Sequence, residues 1–215
     1  MNERTVEDRL REEYFALSSD VRRVVEELEA EVRHCLMPLS SSLHKYEKIE
    51  VTSRIKDCES ALGALRRRQE GATFDPDRAD SYTLTSLNDL AGVRVLAFPR
   101  SRWIEADTTL RRHAPFSSWT PDPVLEDEIE EPLAYKYYGY CSRSTKLRAE
   151  LQIAPMLIGL FWQVEHSAVY KPAPQLKGVL VSLEMQQPLR GVYKALRAFE
   201  TEFERLVRRD PLDKP

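Results

Sequence analysis

Apolar positions in this chain change spacing several times, and each change predicts an element. Residues 5–17 and 20–37 read as two helices. In the second, Val21, Val24, Val25, Leu28, Val32 and Cys35 or Leu36 recur at helical spacing. Ser19 and Asp20 suit N-caps, and Pro38 predicts a stop. After a polar start at residue 39, residues 49–53 read as a short strand. Residues 57–69 read as a helix with Ala61, Leu62 and Leu65 inside, Gly71 as its stop and a polar loop over 71–83. LAGVRVLAF (90–98) is the clearest strand, β-branched and apolar between Asn88-Asp89 and Pro99. A helix over 101–113 and an acidic loop over 114–132 follow. Tyr135 to Tyr140 is an aromatic and basic cluster with Gly139 at a turn, and 142–153 alternates as a second strand ending near Gln152. Residues 155–170 read as a helix, 171–188 as a proline-bearing loop, and 189–208 as a last helix presenting Val192, Leu196, Phe199, Phe203 and Leu206. Helices flanking a mixed sheet place the chain in the α+β or α/β class.

Composition narrows the partners more than the fold. A length of 215 residues fits one domain with a small helical appendage. A net charge of −3 gives no overall field to recruit nucleic acid or an anionic membrane, so a polyanionic substrate needs a local basic patch. Cys35, Cys58 and Cys141 show neither CxxC nor metal spacing, as expected of a reducing cytoplasm. The charged start MNERTVEDRL lacks the apolar core of a signal peptide, and no apolar run approaches the ~18 residues of a membrane span.

Four stretches carry candidate chemistry. In SRIKDCESALGALRRR (53–68), Arg54 and Lys56 precede a helix that carries Ser60 and closes with Arg66, Arg67 and Arg68. Guanidinium forks match phosphate oxygens, although on composition alone a solvated basic face is the simpler account. In LNDLAGVRVLAF, Asp89 heads the strand as a turn residue or a metal ligand, and Gly92 permits close backbone approach. In YKYYGYCSRS, Tyr140 offers a π-face to a base, or is core. In AELQIAPMLIGLFWQVEHSAVYK, Glu150 and Gln152 share one strand face, and His166 lies on the following helix, where packing is its simplest role. Asp89 and Glu150 on neighbouring strands would suit Mg²⁺, which prefers oxygen ligands and substrate phosphates. No P-loop, GxSxG or HExxH pattern is present.

In this order and spacing, the four stretches resemble the RelA/SpoT-type alarmone synthetases, the (p)ppGpp synthetases or GTP pyrophosphokinases, and the small single-domain members match best in length. The resemblance covers roughly residues 45–171. RIKDCESALGALRRR resembles the family's R-x-K segment with its serine and basic helix, and LNDLAGVRVLAF its D-x-x-G-x-R strand. YGYCS resembles the N-G-Y-x-S turn, and ELQI with WQVEHSAVYK the E-x-Q strand and E-H-x-x-x-Y-K helix. The fold implied is α+β: a mixed sheet of about five strands flanked by helices, nucleotidyltransferase-like. It implies an N-terminal helical segment (1–44), a synthetase core (45–171) and a C-terminal helical segment (172–215).

The activity implied is transfer of the β,γ-pyrophosphoryl group of ATP to a nucleotide ribose 3′-hydroxyl, with GDP or GTP as acceptor. By resemblance, Arg54, Lys56, Ser60, Arg67 and Arg68 serve ATP. Asp89 and Glu150 hold Mg²⁺, and Glu150 also activates the attacking hydroxyl. Tyr140, Lys136, Gln152 and His166 form the acceptor side. The chain departs from the family there: Tyr138 replaces the asparagine before Gly-Tyr, Ser144 replaces a histidine, and Ala154-Pro155 replaces Arg-Thr. These departures bring in a second expectation, a toxic small synthetase of a toxin–antitoxin pair that uses adenine nucleotides or the tRNA 3′ end. Its partners would be tRNA, approached by Arg143, Lys146 and Arg148, and an antitoxin protein. A third expectation is an inactive nucleotide-binding module. Members of this size are often homotetramers, so a homo-oligomer belongs to the same set of expectations, and a membrane does not.

Overall fold

The computed structural model describes residues 5–69, 73–126, 129–141, 146–165 and 183–209. Where two helices were expected at the N-terminus, there is one, α1 (Val6–Ser41). It starts at Thr5, whose hydroxyl accepts from the Asp8 N–H while Asp8 answers the Thr5 backbone, a reciprocal capping box. Ser19 and Asp20 therefore cap nothing. The reason is phase: Leu10, Tyr14 and Leu17 continue into Val21, Val24, Val25, Leu28, Val32 and Leu36 at steps of three, four or one, so one stripe faces the core throughout. Seven of these residues are buried, at about 1.5–3 kcal/mol each. That outweighs the ~3 kcal/mol cost of a helical proline, and the helix runs through Pro38 to Ser41.

Five strands form one mixed sheet in the order β1-β2-β5-β4-β3. They are β1 (Lys48–Ile55), β2 (Ala91–Phe98), β3 (Thr120–Glu126), β4 (Ile129–Gly139) and β5 (Ala149–Pro155). Only β2 and β5 run parallel; every other neighbouring pair is antiparallel. The α+β expectation with a five-stranded mixed sheet is met. The acidic stretch 114–132, expected as loop, instead supplies β3 and the start of β4. Pro121 and Pro123 are tolerated because β3 is an edge strand, whose outer side needs no donors. Gly139 ends β4 rather than making a free turn, and a Cβ there would fall 2.2 Å from the Trp119 indole nitrogen. β5 begins only at Ala149, later than its alternation suggested.

The two faces of the sheet differ. Val51, Val93, Val95, Leu151 and Ile153 point to one side, into a core shared with α1, α2 (Cys58–Arg66) and α3 (Arg100–Arg111). On the opposite side, Leu96, Ala134 and Ala154 pack under α4 (Met156–Glu165), with Gly159 tight against Leu96. α5 (Leu183–Arg209) starts earlier than predicted, contains Pro188, and packs Phe203 on Phe98 and Tyr46. The remaining half of this second face is polar, and the candidate chemistry sits there. No described helix is long and apolar enough to cross a membrane.

Candidate active site

Strand register fixes the site as rows of side chains, because directly paired residues point to the same face. One row runs Arg54, Gly92, Glu150, Tyr138, Thr120 across all five strands. The next runs Thr52, Arg94, Gln152, Lys136, Asp122. Arg54 reaches over β2 to Glu150, its Nη2 donating to Oε1 at 3.1 Å. Gly92 makes that crossing feasible: a Cβ there would lie 3.4 Å from the Arg54 Cγ and Nε. Glu150 is 5% exposed, and a carboxylate so buried is expensive without a cation or donors.

Lys56 pairs with Asp89 beside this row. Lys56 is held through its own backbone. The Lys56 N–H donates to the Leu90 carbonyl at 3.0 Å, extending the β1–β2 ladder, and the Tyr14 hydroxyl of α1 donates to the Lys56 carbonyl at 2.9 Å. Asp57 caps α2 by accepting from the Ser60 N–H at 2.9 Å, which starts the helix two residues after Lys56. In the second row, Arg94 Nε donates to Gln152 Oε1 at 2.7 Å. Burial first, and Arg54 second, lower the Arg94 pKa from a starting point far above neutrality, so the guanidinium stays charged.

The β4 side is aromatic. Tyr138 stands directly opposite Glu150 on the neighbouring strand. Burial foremost, then the charges of Glu150, Asp122 and Asp89, push the phenol pKa well up, so it keeps its proton. Tyr140 is 48% exposed, with the Arg148 guanidinium 6.0 Å from its ring centroid. Arg148 Nη1 also donates to Asn88 Oδ1 at 3.2 Å, while its buried Nε lacks a partner. Among the described residues, neither Lys136 nor Arg148 forms an ion pair with a carboxylate.

The structure thus brings Arg54, Lys56, Asp89, Glu150, Gln152 and Lys136 to one polar half-face, with Tyr140 at the end of β4. Ser60 lies in the first turn of α2. Arg67 and Arg68 end that helix, exposed; Arg68 Nη1 donates to the Ser86 carbonyl at 3.1 Å, on the segment leading to Asp89. Arg66 is occupied elsewhere, paired with Glu7 at 2.7 Å. His166, Arg143 and Ser144 lie outside the described residues. Sequence reasoning gave Arg94 no role, took Tyr138 only as a departure from a motif, and took Arg148 only as an approach to tRNA. The parity of β5 was available as a signal, since Arg148, Glu150 and Gln152 alternate on one side.

Asp89 and Glu150 also pass a chemical test as metal ligands. Each carboxylate already holds a cation, Lys56 on Asp89 and Arg54 on Glu150, so both positions accept positive charge. Hard oxygen donors suit Mg²⁺. Among the described residues no group of three or more His, Cys, Asp or Glu could cage an ion. A pair of carboxylates fits an ion that arrives with nucleotide phosphates completing its shell.

Neither the known protein-family models nor the curated protein sequences match the chain. Solved structures do. The small alarmone synthetase 1 from Bacillus subtilis bound to its product pppGpp aligns over 91% of this chain and 96% of its own, with TM-score 0.66 and 16% identity. The same synthetase bound to AMPCPP aligns over 94% and 99%, with TM-score 0.65 and 16% identity. A GTP pyrophosphokinase family protein from Streptococcus pneumoniae aligns over 86% and 89%, with TM-score 0.55 and 16% identity. The chain has the RelA/SpoT-type small alarmone synthetase fold.

Proposed function

We propose that this protein is an ATP-dependent pyrophosphokinase that transfers the β,γ-pyrophosphoryl group of ATP to the 3′-hydroxyl of a guanine nucleotide, GDP or GTP. The observation that carries this reading is the convergence of two cations and two carboxylates, Arg54 with Glu150 and Lys56 with Asp89, on one polar half-face. The fold shared with structures bound to pppGpp and AMPCPP supports nucleotide ligands. In the reaction the acceptor 3′-oxygen forms a bond to the β-phosphorus, the bond from that phosphorus to the α-phosphate oxygen breaks, and AMP leaves. The hydroxyl proton passes to the Glu150 carboxylate.

Such transfer is mostly positioning and charge neutralisation. Arg54 and Lys56 exchange their carboxylates for phosphate oxygens when ATP binds. Asp89 and Glu150 would then be free to hold Mg²⁺, which would supply neutralisation of phosphate charge. Arg94 adds fixed positive charge behind the row, and Gln152 orients it. Tyr140 provides the ring for the acceptor base, and Lys136 meets the acceptor phosphates.

Radiolabelled ATP with Mg²⁺ should be incubated with GDP, GTP, ADP, ATP or tRNA in parallel. Label on guanine nucleotides with release of AMP is expected. Label on adenine nucleotides or tRNA alone would keep the donor chemistry and replace the acceptor, a reading motivated by Tyr138 at the acceptor side. Nucleotide binding without transfer to any acceptor would make the protein a binding module.

A further inference from the structure

Three neighbouring strands end together at the site. Ala91 of β2 pairs with Ala149 of β5, and Ala149 pairs with Gly139 of β4. Beyond this row stand Asn88 and Asp89 ahead of β2, Arg148 ahead of β5 and Tyr140 after β4. Arg148 connects them. Its Nη1 donates to Asn88 Oδ1 at 3.2 Å, its Nη2 lies 3.5 Å from the Tyr138 carbonyl oxygen, and its guanidinium carbon is 6.0 Å from the Tyr140 ring centroid. A guanidinium can serve both ends at once, because it is rigid, carries several donors and is attracted to a π-face. The Tyr140 ring is half exposed, so it has motion to lose when a base stacks on it.

Resting on the reading above, we infer that Arg148 is a positioning residue that couples the two substrates. It ties the Asn88-Asp89 segment of the donor side to the Tyr140 ring of the acceptor side. When the donor nucleotide and its metal fix Asp89, Asn88 is fixed beside it, Arg148 is held, and the ring is in place before the base arrives. Less motion is then left to lose, so each nucleotide tightens the binding of the other by the same factor. Arg148 makes no bond in the reaction.

Isothermal titration of GDP in Mg²⁺, with and without saturating AMPCPP, tests this without turnover, because the methylene of AMPCPP blocks transfer. Wild type should bind GDP at least about fivefold more tightly with AMPCPP present. Arg148→Met keeps the stem and loses both contacts, so this factor should fall close to one while AMPCPP alone binds as before. Asn88→Ala cuts the same connection at its other end and should also remove the factor, and the double variant should remove nothing more. A direct contact of Arg148 with GDP would weaken GDP equally in both titrations and preserve the factor, which would overturn the coupling. A lower melting temperature of Arg148→Met with the factor intact would overturn it too, leaving a structural role only. Wild type that binds both nucleotides without mutual tightening would overturn this inference alone. Wild type that fails to bind AMPCPP or GDP would overturn the proposed function and this inference with it.

Discussion

On the β1–β2 side of the site, Arg54 and Lys56 are each closed on a carboxylate. On the β4 side, Lys136 and Arg148 pair with no carboxylate among the described residues, and Arg148 instead spans Asn88 and the Tyr140 ring. Binding phosphate at the first side means exchanging one set of ion pairs for another. The balance is near neutral in charge, and the gain lies in alignment for reaction. Binding at the second side adds attraction without breaking a pair. Variants of the first side should therefore affect both ATP binding and rate, and variants of the second mainly acceptor binding.

The largest expected effect is that of Glu150→Gln, which takes away the carboxylate proposed as proton acceptor and metal ligand while keeping shape. Transfer should fall at least about a hundredfold, with the far-ultraviolet circular dichroism unchanged. Next comes Lys56→Met, which keeps the stem but leaves Asp89 without its cation. The KM for ATP should rise roughly ten- to a hundredfold, the scale of a hydrogen bond to a charged group. If the acceptor KM rose instead, the two sides would have to be exchanged. Tyr140→Leu should raise the KM for the acceptor about five- to a hundredfold and leave that for ATP unchanged, because base–aromatic stacking contributes about 1–3 kcal/mol. Tyr140 is exposed, so its loss should hardly move the melting temperature.

The smallest effect on transfer, none, is expected of Glu200→Gln in α5, away from both sides. Burial foremost, then Glu204, raises the Glu200 pKa from 4.5 to about 7. Below pH 4.5 it is protonated folded or unfolded, so burial costs nothing there. As pH rises to about 7 the unfolded chain ionises first, and stability falls across that window. Urea midpoints of the wild type should drop between pH 5 and 7 more steeply than those of Glu200→Gln.

Elements that satisfy one local rule throughout were legible in sequence. β2 was placed to within a residue because its β-branched run is bounded by turn residues, and the start of α2, where Asp57 caps it, was placed equally well, although the helix ends three residues earlier than expected. Elements decided by their surroundings were not. β3 carries two prolines that only an edge position excuses, and α1 looked broken at Ser18-Ser19 until its buried stripe proved continuous. The site divides the same way. Arg54, Lys56, Asp89 and Glu150 were identified as types in an ordered pattern. Their pairing was not, because Arg54 meets Glu150 across 96 residues of sequence and over a third strand at Gly92. Tyr138 looked like a departure from a motif, and only the β4–β5 register shows that it faces Glu150.

The most direct test of that paired centre is product analysis of ATP labelled at the β-phosphate, run with wild type and Glu150→Gln in Mg²⁺ and GDP. Wild type should yield AMP and a GDP carrying two added phosphates, both from ATP, and Glu150→Gln should yield neither. ADP as the nucleotide product of wild type, or full transfer by Glu150→Gln, would contradict a pyrophosphoryl-transfer site centred on Glu150 and Asp89.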